Sequence, residues 1–180
     1  MRTVGDIVRQ YKKAIKEFPD YHGRIYVNID DTGLGGGVTD RLREVKREDK
    51  LSRLYVVPIN AAEKIETDTK AGKDAAEHYN NLTTHMWAVL KDLMENQEIE
   101  IEEDSETFAQ LSSRKYFLAS NGKLELESKK EMKKRGLDSP DRGDAAALSV
   151  YLGKIKKYTG SAPNQANTDG LGKSSYWKNR

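Results

Sequence analysis

Apolar side chains in the first sixty residues are spaced in a way that predicts one helix and then two strands. They recur every three or four positions over residues 3–18, whereas apolar and polar side chains alternate over residues 25–30. Residues 54–59 are largely apolar, which is typical of a buried strand, and a short charged helical pattern lies between the two strands. This order predicts a parallel strand pair joined by a right-handed crossover.

The middle of the chain predicts a loop followed by two helices. Residues 60–74 have no apolar period, so we expect a solvated loop there. Leu82, Met86 and Leu90 recur at helical spacing and mark a strong helix. Asp104 is a suitable N-cap for a shorter helix after it.

A hairpin and a last helix follow. Asn121-Gly122 lies between two short strand-like runs, and we expect a tight turn in which both residues have positive φ. Ser139 is placed to cap the last helix, with Pro140 in its first turn. The helical pattern extends to about residue 158.

Composition indicates a single domain that is neither secreted nor inserted in a membrane. The 180 residues include 31 Lys and Arg and 29 Asp and Glu, a net charge of +2, which excludes an acidic tail or a strongly basic nucleic-acid coat. We expect one domain over residues 1–158 and a flexible tail over residues 159–180. Cysteine is absent, which excludes disulfides, thiolate zinc sites and a cysteine nucleophile. The longest apolar run, residues 86–90, is far shorter than the roughly 20 residues that cross a bilayer.

Acidic residues at two places predict a metal site. Asp30 ends the first strand directly before a glycine-rich turn, at the strand end where open α/β sheets bind ligands. Asp141 and Asp144 are three positions apart on the last helix and therefore share a face. Together the three carboxylates offer the oxygen ligands of hard divalent ions, which in pairs hydrolyse phosphodiesters. The structural alternative is that Asp30 caps its turn and the other two complement the helix dipole.

A basic run lies just before the last helix. Its positive charge is suited to neutralising DNA phosphates, and the alternative is an ordinary solvated helix face. The residues concerned are Lys129, Lys130, Lys133, Lys134 and Arg135.

The glycine-rich turn after Asp30 also raises the possibility of nucleotide binding. Its spacing fails the dinucleotide pattern G-x-G-x-x-G because Val38 occupies the third glycine position. An acid just before the turn would also repel a pyrophosphate. We therefore rank nucleotide binding below the metal site.

Several blocks of the sequence resemble the nuclease domain of the large terminase subunit of tailed bacteriophages and prophages. They occur in the family's order and cover residues 1 to about 155. The matching blocks are residues 25–30 and 32–42, residues 79–82 and 86–87, residues 127–129, residues 135–136, and residues 139–141 with 144–145.

The resemblance implies an α/β fold of the RNase H-like type, in which helices flank a mixed sheet. It implies two bound Mg²⁺ or Mn²⁺ ions and the cutting of concatemeric viral DNA during genome packaging. Asp30 matches the acid at the end of the fourth strand, Asp144 the acid on the last helix, and Asp141 a metal-side position one turn earlier. Lys129 matches a position near the scissile DNA.

The same resemblance implies partners and a location. The partners are double-stranded DNA, the portal, the small terminase subunit and the ATPase motor domain of the large subunit. The location is the packaging motor in the cytoplasm of the bacterial host.

The chain departs from the family at its beginning. The family has its first catalytic aspartate on the first strand of a three-strand meander, and the helix at residues 3–18 resembles the one that follows that meander. Asp6 lies on this helix and is a poor substitute for that aspartate. We therefore expect the meander to be missing. A non-catalytic DNA-binding or packaging-interaction remnant of the fold is the alternative to an endonuclease.

Overall fold

A computed structural model describes residues 2–32, 35–101 and 103–152. The chain divides into two compact units, one ending at Ala61 and the other spanning Ala62–Leu152. The predicted tail over residues 159–180 lies outside the described residues, as does the first part of the glycine-rich turn.

The first unit contains the predicted strand, helix and strand, preceded by the predicted helix. Its two strands pair in parallel, with Ile25 opposite Leu54 and Asp30 opposite Ile59, which confirms the parallel pair. The elements are α1 (Arg2–Glu17), β1 (Ile25–Asp30), α2 (Gly35–Glu48) and β2 (Leu54–Ile59).

The core of the first unit is mostly aliphatic. The apolar face of α1 packs with residues of β1, α2 and β2, and full burial of one such side chain contributes about 1.5–3 kcal/mol. The periodicity places Phe18 on this face, but α1 ends at Glu17 and Phe18 is 64% exposed. Pro19 follows directly, and the residue before a proline is disfavoured in the helical conformation. The buried residues are Val4, Val8, Tyr11, Ile29, Leu42, Leu51 and Leu54.

The second unit is mostly helical and includes one hairpin. The predicted helices at Leu82 and after Asp104 are confirmed, and Asp104 is the predicted N-cap, accepting a hydrogen bond from the Thr107 amide. The elements are α3 (Lys70–His78), α4 (Leu82–Glu95), α5 (Ser105–Ser113), β3 (Tyr116–Leu118), β4 (Leu124–Leu126), α6 (Lys129–Lys134) and α7 (Asp141–Ser149).

The loop predicted over residues 60–74 is too long, because α3 begins at Lys70. The Thr69 hydroxyl caps this helix by accepting from the Gly72 amide at 3.0 Å. Ala75 is its buried residue, so the helix has no apolar stripe for a periodicity argument to detect. The cap and the alanines define this helix instead.

The predicted hairpin is present, but its turn differs from the expected one. β3 and β4 pair antiparallel, and Gly122 has a φ of 77°. Asn121 does not share that conformation; its side chain accepts from the Lys123 amide at 3.1 Å instead. The connection between β3 and β4 is longer than two residues, and a longer turn needs only one residue with positive φ. The prediction that both Asn121 and Gly122 have positive φ was therefore wrong.

The α/β class is therefore confirmed. Within the described ranges the strands form one parallel pair and one antiparallel pair. No helix in this part of the chain is long and apolar enough to cross a bilayer.

Candidate metal and nucleic-acid site

The last helix is capped by a residue from another helix. The sequence predicts Ser139 as its cap, but α7 begins at Asp141 and Pro140 supplies no side-chain cap. The Gln110 amide oxygen on α5 accepts from the Arg142 amide at 2.8 Å and from the Gly143 amide at 3.1 Å. Long-range packing thus provides the cap that we expected from the local sequence. α7 also ends at Ser149, earlier than the predicted residue 158.

A glycine lets α7 approach α4 closely. Gly143 is buried, and a Cβ atom there would lie 2.7 Å from Trp87 Cη2 and 3.0 Å from Trp87 Cζ2. Such distances are well below ordinary carbon contacts of about 3.5–4.0 Å. Glycine at this position therefore brings the indole beside the next residue, Asp144.

Asp144 is the most densely contacted of the predicted acids. Its Oδ1 accepts from Trp87 Nε1 at 2.9 Å and from Arg114 Nη1 at 2.7 Å. Its Oδ2 lies 2.9 Å from Lys129 Nζ. The carboxylate of α7 is thus bound by residues from α4, from the α5–β3 connection and from α6.

Arg114 is a buried cation, with its side chain 5% exposed. Its Nε donates to the Glu127 carbonyl at 2.9 Å, and its guanidinium carbon lies 4.9 Å from the centre of the Trp87 ring. Burial lowers the pKa of Arg114, while the Asp144 charge opposes that change. The guanidinium stays charged because its ordinary pKa is so high.

Lys129 joins the two acids of α7. Its Nζ lies 3.2 Å from Asp141 Oδ1 as well as 2.9 Å from Asp144 Oδ2. Burial lowers the pKa of Lys129, but the hydrogen bonds to both carboxylates outweigh it, so the pKa is raised. The Ser139 hydroxyl and then Lys129 lower the pKa of Asp141. The two carboxylates therefore converge on one positive charge.

The basic helix α6 is fixed by a capping box and one buried residue. Ser128 and Glu131 bond each other's backbone amides, and Met132 is 1% exposed. Lys133 and Lys134 lie exposed in the last turn. This arrangement presents Lys129 towards α7 and leaves the two later lysines to solvent.

Arg135 has a different environment from the lysines before it. It makes a two-point contact with the buried Glu127, from Nε to Oε1 at 2.7 Å and from Nη2 to Oε2 at 2.6 Å. Arg135 Nη2 also donates to the Ser113 carbonyl at 2.8 Å. The hydrogen bonds from Arg135 are the largest cause of the lowered pKa of Glu127. The Arg135 guanidinium thus holds Glu127 and the Ser113 carbonyl in place.

Asp30 lies in the first unit and keeps a local environment. It is exposed at the end of β1, and its Oδ1 accepts from the Thr32 amide at 3.0 Å. The neighbouring Asp31 accepts from the buried Thr39 hydroxyl at 3.0 Å and so ties β1 to α2. The convergence of Asp30 with Asp141 and Asp144 stays a prediction.

The chemistry of the α7 acids suits a hard cation. Carboxylate oxygens are the ligands that Mg²⁺ and Mn²⁺ prefer, and the shared lysine shows that two of them reach a single cation. In the part of the chain that the structure describes, no three acidic or histidine side chains are grouped to hold a metal. The second unit therefore presents a pair of carboxylates that share one contact, the Lys129 ammonium.

Sequence reasoning missed three residues that build this site: Trp87, Arg114 and Gln110. Trp87 lies on the apolar face of α4, where the sequence pattern indicates an ordinary core residue. A buried indole N–H needs an acceptor, which is the one signal that could have identified it. Nothing local distinguishes Arg114 or Gln110, because their partners on α7 are 30 or more positions away.

No protein-family model and no curated protein matches the sequence. The solved structures that resemble the fold include two of the nuclease domain of the large terminase subunit gp2 of bacterial virus Sf6 and one of gp2c of the same subunit, each carrying a lysine-to-alanine substitution. The structure with manganese and beta-thujaplicinol is 18% identical with a TM-score of 0.57, and that with manganese alone has the same two values. The structure with calcium is 17% identical with a TM-score of 0.51.

The similarity is partial in both directions. It covers 71% of this chain and 65% of the terminase domain solved with manganese and beta-thujaplicinol. The chain spans slightly less than two thirds of that domain. At this level of identity the likeness concerns the backbone, and it shows that the matched part of the chain shares the fold of that terminase nuclease domain.

Proposed function

We propose that this chain is a metal-dependent DNA endonuclease domain of a phage large terminase. The observation that carries the proposal is the convergence of Asp141 and Asp144 on the Lys129 ammonium, which marks a cation-binding position on α7. The fold supports it, because the similar terminase domains were solved with manganese or calcium.

In this proposal Asp144 and Asp141 are ligands from α7, and Asp30 is the ligand from β1. Bound Mg²⁺ or Mn²⁺, as a pair in a complete site, would supply an activated water and charge stabilisation at the phosphodiester. Lys129 contacts both α7 acids, so its ammonium is held beside the position that we assign to the scissile phosphate. The exposed Lys133 and Lys134 would hold neighbouring phosphates.

The wider role follows the same resemblance. We infer that the substrate is concatemeric viral double-stranded DNA. We also infer that the domain acts with an ATPase motor domain, the portal and the small terminase subunit, in the cytoplasm of the bacterial host. Each partner requires a separate binding experiment.

The test of the proposal is a plasmid-nicking assay with Mn²⁺ on the full chain. We expect Asp144→Asn and Asp30→Asn each to reduce nicking at least 100-fold, because each removes a charged ligand from the ions. Asp138→Asn is the matched control, since Asp138 is an exposed acid just before α7 and lies outside the cluster. Nicking that persists in Asp144→Asn would contradict the proposal.

A non-catalytic DNA-binding domain is the second candidate. Two observations favour it: Lys129 and Arg114 already neutralise the α7 acids, and no three-acid group occurs in the described ranges. Calorimetry with Mn²⁺ separates the two candidates. A chain that binds DNA in a salt-dependent way but takes up no Mn²⁺ supports the second candidate.

A further inference from the structure

The charge of the chain is unevenly distributed between its two units. Residues 1–61 contain 12 Lys and Arg against 9 Asp and Glu, a net charge of +3. Residues 62–152 contain 13 Lys and Arg against 19 Asp and Glu, a net charge of −6. Because DNA is a dense polyanion, the first unit attracts it on average, whereas the second unit repels it until cations bind.

Two cations of the first unit lie over one tyrosine ring. The guanidinium carbon of Arg24 is 4.7 Å from the centre of the Tyr55 ring, and Lys46 Nζ is 4.4 Å from the same point. The Tyr26 ring lies beside it at 5.7 Å, since Tyr26 and Tyr55 are opposite each other in the register of β1 and β2. We call these four half-buried residues the Tyr55 cluster. The ring attracts both cations but leaves their charge in place.

The cations of the Tyr55 cluster have no acidic partner. Lys13 on α1, by comparison, is paired with Glu17 at 3.6 Å. Within the described ranges, no ion pair joins Arg24 or Lys46 to a carboxylate. Arg24 Nη1 is also shielded from solvent and has no hydrogen-bond acceptor in this part of the chain. Buried donors without an acceptor are rare, and a phosphate oxygen is an acceptor that a guanidinium binds strongly.

The Tyr55 cluster lies at the opposite end of β1 from the predicted metal ligand Asp30. Tyr26 and Asp30 are four positions apart on this strand, which corresponds to about 13 Å along it. Because Arg24 and Lys46 lie over the same ring, their charges are close enough to contact one phosphate or two neighbouring phosphates. The cluster is therefore a second place at which the first unit can hold DNA.

We propose that the Tyr55 cluster anchors duplex DNA by binding its phosphate backbone through Arg24 and Lys46, and that it does so without metal. The two cations already cover the Tyr55 ring, so this ring positions them and does not stack on a base. Contacts of this kind hold the duplex without reading its sequence. The inference rests on the proposed function in naming DNA as the ligand.

The test measures binding of the full chain to a fluorescein-labelled DNA duplex in EDTA, at a series of salt concentrations. A lysine that contacts phosphate contributes about 1 to the slope of log K against log salt. We therefore expect Lys46→Gln to lower this slope by about 1 and to weaken binding about 10-fold at about 0.1 M salt. Arg24→Gln should act in the same direction. Two duplexes of unrelated sequence should be affected equally.

Four further variants separate a specific contact from a loss of overall charge. Lys13→Gln removes the same charge from a paired lysine and should leave the affinity and the slope unchanged. Lys46→Arg keeps the cation and should retain binding. Tyr55→Phe keeps the ring and should retain binding, whereas Tyr55→Leu removes the attraction that positions both cations and should weaken binding about 3-fold. Circular dichroism confirms that each variant folds.

The outcomes for the anchor and for the proposed cleavage are distinguishable. An unchanged affinity and slope in Lys46→Gln, or an equal loss in Lys13→Gln, overturns the anchor. A wild-type chain that does not bind the duplex in EDTA also overturns it. Nicking with Mn²⁺ and its loss in Asp144→Asn are measured separately, so these results leave the endonuclease proposal standing. A chain that loses duplex binding in Lys46→Gln but never nicks DNA keeps the anchor and overturns the endonuclease.

Discussion

The two units of the chain bury different kinds of groups. The first unit has a core of mostly aliphatic side chains from α1, β1, α2 and β2, and the hydroxyl of its buried Thr39 donates to Asp31. The second unit buries the charged Glu127 and the Arg114 side chain within a network that reaches Asp144. An aliphatic core requires only volume and apolar area, whereas a buried charge requires a particular partner.

The same contrast separates the predicted acids. Asp30 is held by the amide of Thr32, two positions away, and faces solvent. Asp144 is held by residues 57, 30 and 15 positions away in the chain, which are Trp87, Arg114 and Lys129. Stability experiments should therefore distinguish these two acids even before any metal is added.

The largest expected effect is a difference in stability between a substitution beside Asp144 and a substitution of Asp30. Arg114→Ala leaves the half-buried Asp144 without its buried cation, and we expect the free energy of unfolding of the second unit to fall by about 3 kcal/mol. Asp30→Asn changes an exposed acid and should alter stability by about 0.5 kcal/mol or less. Urea unfolding followed by Trp87 fluorescence in a Trp177→Phe background measures the first effect. Equal effects of the two substitutions would remove the distinction.

A buried histidine should make the second unit sensitive to acid. Burial lowers the pKa of His85 from the ordinary 6.5 to about 4, and the ring packs edge-on against Tyr79 and Tyr151. As the pH falls, His85 is protonated in the unfolded chain before it is protonated in the folded chain. The stability that depends on a neutral His85 is therefore fully present above pH 6.5 and is lost as the pH falls towards 4. At 1.36 kcal/mol per pH unit, the loss is at most about 3 kcal/mol.

The measurement is urea unfolding at a series of pH values between 7 and 4. In His85→Phe the ring cannot be protonated, so the part of the pH dependence that His85 causes should disappear. His78→Phe changes an exposed histidine of α3, and this variant should keep the pH dependence of the unmodified chain. An unchanged pH profile in His85→Phe would show that other groups cause the acid sensitivity.

The smallest expected effect concerns two helical glycines, one from each unit. In Gly143→Ala the new methyl group meets the Trp87 ring, and overpacking of this kind costs about 1–3 kcal/mol. A Cβ atom added to Gly5 on α1 would meet nothing within 4 Å, so Gly5→Ala should stabilise the chain by about 0.5–1 kcal/mol. Thermal unfolding shows whether each substitution lowers or raises the stability. Destabilisation by both substitutions would argue against close packing as the role of Gly143.

Most helices and strands were predictable from sequence because their signals are local. Apolar spacing identified α1, β1, β2 and α4, and Asp104 marked the start of α5. The sequence did not predict α3, because that helix buries one alanine and starts from a threonine cap. It did not predict the cap of α7, because Gln110 belongs to another helix.

The sequence by itself determined the parallel strand pair, the two acids on one face of α7 and the basic run before them. These features follow from periodicity, spacing and charge over a few neighbouring residues. Only the tertiary structure decided that Trp87 and Arg114 hold one oxygen of Asp144 while Lys129 meets the other. Buried polar groups take whichever partner the packing of distant helices brings within hydrogen-bond distance, and no short stretch of sequence specifies that choice.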